Sequence, residues 1–278
     1  MKILIIIPIL NPDEKFFKTT IPLLQKQSVE HELLLINSGE DIAAGNYKTV
    51  KIKKEEFNHA NTRNIALQYD ADFYLFMTQD SLAFDEYLIE ELIKPFNDDE
   101  VAISYARQIP YENAHITEKF ARNANYPTNS FVKSKEDIVK LGIKTYFTSN
   151  SCAMYRGDYF RQQNGFKKNL NCSEDMEFTF RAIWDNKKVF YTAKAKVYHS
   201  HVYTCKALYE RYKNIGKFFL DNSEIDESIK SGKSTERTGF NQAIKEFQYV
   251  LRYQPNAIFK LLLFTTVKYL AYKLGRYT

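Results

Sequence analysis

Lys2-Ile3-Leu4-Ile5-Ile6-Ile7-Pro8 is a continuous apolar run, rich in β-branched residues and closed by proline. It shows no apolar/polar alternation, which marks a strand covered on both faces, as in parallel sheets packed between helices. The residues that follow fit that reading. Phe17, Ile21 and Leu24 stand at helical spacing, with Pro22 kinking that helix or delaying its start. His31 to Asn37 and Tyr47 to Ile52 read as further strands, Phe57 to Tyr69 as a helix and Asp72 to Thr78 as another buried strand. Phe84 to Phe96 is helical and Val101 to Arg107 extended. Strands alternating with helices predict an α/β fold, a mostly parallel sheet flanked by helices. Ligands of such sheets bind beyond the C-terminal strand ends.

Gln108 to Thr145 reads as loops with short helices, and Phe147 to Tyr155 as extended. Ser173 is placed to cap a helix running to about Asp185. Val189 to Tyr191 and Lys196 to Val202 read as short strands. From Lys206 the pattern is all-helical, with a polar break over Asp221 to Thr238, so the expected boundary separates 1–205 from a helical 206–278.

The 278 residues include 20 Tyr and 21 Phe but only 9 Gly and 7 Pro, a globular composition. Cys152, Cys172 and Cys205 are odd in number and fit no zinc spacing, which suggests a reducing compartment. Met1 to Leu10 lacks a signal-peptide cleavage site, and no run reaches the ~18 apolar residues of a membrane span. A soluble, cytoplasmic protein is expected. From Lys206 onward 13 Lys and Arg face 7 Asp and Glu, a balance of +6 that leaves −1 for the rest. That asymmetry points to an anionic partner at the C-terminal end, or to a solvated helical face. No basic residues are interleaved into a nucleic-acid module, so no nucleic-acid partner is expected.

Four clusters can carry chemistry. In Phe76-Met77-Thr78-Gln79-Asp80-Ser81 a carboxylate follows a buried strand, where it can hold a hard cation or merely cap a turn. Phe57 to Asn64 crowds three Asn, a His, a Thr and Arg63 at a helix start, suited to phosphate or to simple capping. Ser173-Glu174-Asp175-Met176-Glu177 puts three acids in one helical turn. Those acids suit the helix dipole, and Glu177 can pair with Arg181, which leaves Glu174 or Asp175 for a general base. In Tyr198-His199-Ser200-His201 the two imidazoles share one face of an extended segment and can reach one ion.

Taken in order, these pieces resemble the inverting family 2 glycosyltransferases of GT-A fold, in particular their bacterial rhamnosyltransferase-like branch. The likeness extends to Ile36-Asn37-Ser38-Gly39, Asn125-Tyr126-Pro127, Ser149-Asn150, Gly165-Phe166 and the tail Lys268 to Arg276, and so covers essentially the whole chain. Most members carry two or three acids where Thr78-Gln79-Asp80 stands, an acidic pair at Asn37-Ser38, and Gly where Ser173 stands. The resemblance implies a catalytic region, 1–205, with a nucleotide-binding half (1–107) and an acceptor half (108–205). It places Pro8, Asn11 and Ser38 in the nucleoside pocket, with Arg63, Asn64, Gln79 and Asp80 also at the donor. Mg²⁺ or Mn²⁺ would be held by Asp80 with His199 or His201. Asp175, or in second place Glu174, would be the base.

The implied donor is a nucleotide sugar, dTDP-L-rhamnose, and the acceptor a growing cell-surface or lipid-linked glycan. UDP- or GDP-sugars are the alternative donors, and a decayed sugar-binding scaffold is the non-enzymatic alternative. A dinucleotide-binding oxidoreductase is disfavoured, because no G-x-G-x-x-G follows the first strand. Residues 256–277 combine apolar and basic side chains and suit either an anionic membrane surface or packing on protein.

Overall fold

The computed structural model describes residues 1–229 and 235–278; the polar break expected over 221–238 thus includes positions, 230–234, outside the described residues. In chain order the strands are β1 (Ile3–Ile9), β2 (Glu32–Asn37), β3 (Lys48–Lys51), β4 (Phe73–Met77), β5 (Leu82–Ala83), β6 (Val101–Ile109), β7 (Phe131–Lys133), β8 (Cys152–Arg156) and β9 (Lys188–Tyr198). The helices are α1 (Ile21–Gln25), α2 (His59–Asn64), α3 (Leu88–Ile93), α4 (Ile116–Asn125), α5 (Ile138–Leu141), α6 (Gly157–Gln162), α7 (Glu174–Trp184), α8 (Cys205–Asp221), α9 (Ser223–Glu227), α10 (Thr235–Tyr253) and α11 (Ile258–Gly275). They form two compact units: residues 1–109, 127–135 and 146–199 in the first, and 110–126, 136–145 and 200–278 in the second.

The first unit holds one sheet in the order β3-β2-β1-β4-β8-β6-β9-β5, with β7 on β9. β1 lies inside it, parallel to β2 and β4, with Ile5, Ile6 and Ile7 wholly buried. Pro8 sits in this inner strand because β1 pairs with β4 only as far as Ile6, so its missing N–H breaks no ladder bond on that side. The parallel character holds across β3-β2-β1-β4 and β6-β9, while β8 runs antiparallel to both of its neighbours. β9 is one strand rather than two short ones; its register slips opposite Ala106 and Arg107, and that irregularity interrupts the sequence pattern. Pro22 stands in the first turn of α1, directly after a π-helical turn over Phe16–Thr20.

Under α7, Phe76, Tyr155, Phe160, Phe166 and Phe178 pack with ring centroids 5.1–5.6 Å apart, mostly edge to face. Rings in this geometry gain beyond their buried area and fix the helix on the sheet.

In the second unit α8 and α11 cross at Gly216 and Gly275. A Cβ on Gly216 would lie 2.2 Å from the Tyr272 carbonyl, and one on Gly275 2.0 Å from that of Lys213. Only glycine permits so close a backbone approach. Arg276 pairs with Asp226 at 2.5 Å, and Val250, Ala257 and Leu261 form a small core with Ile116 and Ile258.

Candidate active site

The ends of β1, β2 and β4 are tied into one rim. Asn11, just past β1, has φ 42°, a left-handed conformation that asparagine tolerates. Its Oδ1 accepts the Glu40 N–H at 2.7 Å, and a Cβ on Gly39 would sit 2.1 Å from that oxygen. The buried Ser38 donates its N–H and its hydroxyl to the Ile9 carbonyl, at 3.0 and 3.1 Å. Gln79 Oε1 accepts the Leu10 N–H at 2.7 Å, which joins the β4 end to the β1 end. Pro8, Asn11, Ser38 and Gln79 are therefore brought together. Asn64 is engaged elsewhere: its amide clasps both the N–H and the carbonyl of Phe166, each at 2.8 Å.

Asp80 follows on the same rim, half exposed, with Oδ2 3.3 Å from Nε2 of the buried His199. β9 ends at Tyr198, yet the His199 N–H continues the ladder by donating to Ile109 O at 2.9 Å. The other ring nitrogen, Nδ1, meets Gln108 Oε1 at 2.9 Å, and Gln108 Nε2 donates to Ser149 Oγ at 2.9 Å. That chain of bonds places the imidazole proton on Nδ1 and leaves Nε2 an acceptor facing a carboxylate. A carboxylate oxygen and an imidazole nitrogen so disposed can share one metal ion, and an orienting bond on the far nitrogen is the usual second layer of a metal site. His201 comes two residues later, in the second unit; its N–H donates to Glu118 Oε2 at 3.3 Å and its ring lies 5.1 Å from that of Tyr203.

The acids of α7 divide their roles. Ser173 stands at the N-cap position with φ 59° and makes no side-chain capping bond, because the left-handed backbone turns its hydroxyl away from the first turn. Asp175 answers the helix N-terminus instead, accepting the Met176 N–H at 2.8 Å and the Asn150 N–H at 3.1 Å. Glu174 is buried; Asn150 Nδ2 donates to its Oε1 at 2.9 Å, and Arg63 Nη1 lies 3.3 Å from the same oxygen. Arg63 itself is only 3% exposed and also lies on His59 Nδ1 at 3.1 Å. Its guanidinium faces Glu174, a carboxylate contact that sequence did not predict. Asn58 caps α2 through Ala60 and Asn61, both at 3.1 Å, which fixes the turn that aims Arg63. Glu177 pairs with Arg181 at 2.9 Å, as its spacing predicts.

The two adjacent carboxyls titrate apart. Burial raises that of Glu174, but Arg63, His59 and the Asn150 amide outweigh it and hold the group below its ordinary value. Burial and the Glu174 charge push Asp175 up to about 7, against the lowering effect of the Asn150 and Met176 N–H groups and Arg63. A carboxylate poised near 7 has the proton affinity of a working general base. Asn150, which ties both acids together, is itself held by the Tyr155 hydroxyl at 2.7 Å. Sequence reasoning assigned no role to Asn150 or Gln108. Ser149-Asn150 was visible as a shared motif, whereas Gln108 left no local signal.

The Glycosyl transferase family 2 profile matches residues 4–163, more than half of the chain. O-antigen chain rhamnosyltransferase RfbN of Salmonella typhimurium is 37% identical over 100% of this chain and 90% of its own length. O-antigen chain rhamnosyltransferase WbaN of Salmonella anatum is 36% identical over 98% and 89%. Among solved structures, Staphylococcus aureus TarS 1-349 superposes with a TM-score of 0.55 at 15% identity, covering 99% of this chain and 92% of that one. The mannosyltransferase PcManGT from Pyrobaculum calidifontis, in complex with GDP-Man and Mn²⁺, gives 0.62 at 10% identity over 99% and 86%. These likenesses agree on the GT-A type of sheet and helices described above, and the chain belongs to glycosyl transferase family 2 and is a glycosyltransferase.

Proposed function

We propose that the chain transfers L-rhamnose from dTDP-L-rhamnose, with inversion, onto a growing O-antigen-like or lipid-linked glycan at the cytoplasmic face of a membrane. The observation that carries the reaction is Asp175, whose carboxyl is poised near 7 at the head of α7. The full-length kinship with two rhamnosyltransferases supports the sugar and the acceptor class. Asp175 takes the proton of the acceptor hydroxyl, whose oxygen attacks the anomeric carbon opposite the nucleoside diphosphate. One displacement inverts the centre. Pro8, Asn11 and Ser38 line the nucleoside pocket, and Gln79 holds its rim. Functionally the chain divides at 205/206 into a catalytic region and a helical extension.

Asp80 and His199 would hold a divalent cation, with His201, two residues along, as a further ligand. Their mixed nitrogen and oxygen donors favour Mn²⁺ over Mg²⁺, which prefers an all-oxygen shell. The bound ion would neutralise charge on the leaving diphosphate. Gln108 orients His199 for this task. Gln108→Leu is expected to weaken Mn²⁺ binding about 10–100-fold with the fold intact, measured by titration of Mn²⁺ against its paramagnetic signal. Unchanged affinity would remove His199 from the ligand set.

The donor is tested by calorimetric titration with dTDP, UDP and GDP, each with Mn²⁺ and again with EDTA. Selective, metal-dependent dTDP binding is expected. Preference for UDP or GDP would replace the donor while keeping the mechanism. Failure of all three to bind would overturn the transferase assignment for this pocket in favour of a sugar-binding scaffold.

A further inference from the structure

The second unit carries an apolar surface that its own packing leaves uncovered. α11 buries Leu261, Phe264, Ala271 and Gly275 along one stripe. Its other side is equally apolar, with Phe259, Leu262, Leu263, Tyr269 and Leu270 exposed. α10 presents Phe240, Ile244, Phe247 and Leu251 at positions i, i+4, i+7 and i+11, all exposed. An open cleft of about 220 Å³ lies between the two helices, lined by Ala243, Ile244, Phe247, Leu261, Leu262 and Thr265. A helix apolar on both sides belongs in a core or against lipid, and contiguous exposed apolar patches mark interaction sites. Among the described residues no helix is long and apolar enough to cross a membrane, so any lipid contact made here is with the surface of the bilayer.

The charge around the patch decides its occupant. Residues 238–278 contain Lys245, Arg252, Lys260, Lys268, Lys273 and Arg276 against a single acid, Glu246. Glu246 is buried, and burial raises its carboxyl's pKa. Lys245, Arg252 and Lys260 are exposed. A second copy docking through the same face would bring two basic faces together, since a two-fold interface uses the same patch on both copies. An anionic lipid surface complements the apolar and the basic parts at once. We propose that the α10–α11 face lies flat on an anionic bilayer, its aromatic and aliphatic side chains entering the interface and Lys245, Arg252 and Lys260 meeting the headgroups. The surface thus includes α10 as well as the 256–277 tail, and it stands whatever the donor is.

The test is co-sedimentation of the full chain with phosphatidylcholine vesicles, with and without phosphatidylglycerol, at low and physiological salt. Binding is expected only to the anionic vesicles and to weaken with salt. Each exposed basic side chain contributes about fivefold, so joint Lys245→Glu, Arg252→Glu and Lys260→Glu should lower affinity by about 100-fold or more. Phe240→Ser with Phe259→Ser, both at highly exposed positions, should weaken binding without moving the melting curve. Equal binding to neutral vesicles, or none to either, would overturn the proposal. So would a dimer in light scattering that the Phe240 and Phe259 substitutions dissolve, which would assign the face to a second copy.

Discussion

Asp175→Asn is expected to lower kcat about 10²–10⁴-fold, a barrier increase of about 3–5 kcal/mol, while nucleotide affinity stays near that of the parent. The Met176 N–H donates to Oδ1 and the Asn150 N–H to Oδ2, so asparagine keeps an acceptor for one of them and cannot take a proton from the acceptor hydroxyl. The parent rate should rise with pH through about 7 as Asp175 loses its proton, and the variant should lose that dependence. Stability supplies a readout independent of turnover. The folded carboxyl titrates near 7, above its unfolded value, so the native state holds the proton more tightly. Folding stability contributed by that proton is complete below about pH 4 and declines as pH rises to about 7. The asparagine side chain cannot ionise, so the variant should melt higher than the parent at pH 8, and the gain should vanish at pH 4. Normal turnover, with no such crossover in melting temperature, would remove Asp175 from the base position.

The parts of this arrangement that were legible in the sequence are those with local causes. Ile3 to Ile7 declares an inner strand because five apolar residues in a row have no solvent face, and all are buried. Glu177 and Arg181 declare their pairing through helical spacing. Asp80 and His199 could be joined only through the likeness to a family, since nothing local links a turn after β4 to the end of β9. The contact between Arg63 and Glu174 was hidden for the same reason. A helix-start arginine reads as a phosphate ligand, and its buried partner Glu174 belongs to a distant helix. Ser173 reads as a cap by residue type, yet its backbone is left-handed. β7 is only three residues long, too short to show a period, and exists through its pairing with β9. Local propensity gives the elements; pairings between distant segments of the chain give the site.

Glu174→Gln separates the two acids. If Glu174 acts on Asp175 and not on substrate, the variant should remain active at alkaline pH, with the acid limb of its kcat/KM profile moved from about 7 toward the ordinary carboxylate range. The sign follows from the neighbours. Glu174 is the negative charge that raises Asp175, and His59, Tyr155 and Arg63 are the other titratable or charged groups gathered on the pair. Removing Glu174 also leaves Arg63 at 3% exposure without its counter-charge, facing Asp175 across the vacated partner, which lowers the Asp175 carboxyl further. Breaking one side of a buried pair costs about 3–5 kcal/mol, so a large fall in melting temperature should accompany the shift. Joint replacement of Arg63 by Met and Glu174 by Gln should recover much of that stability, because the buried charge leaves with its partner. The acid limb in the double variant should lie above that of Glu174→Gln but below that of the parent, since the raising charge of Glu174 is missing and the smaller lowering effect of Arg63 has gone with it. A Glu174→Gln enzyme that loses turnover at every pH, with the limb position unmoved in what activity remains, would transfer the base role to Glu174 and leave Asp175 as the cap of α7.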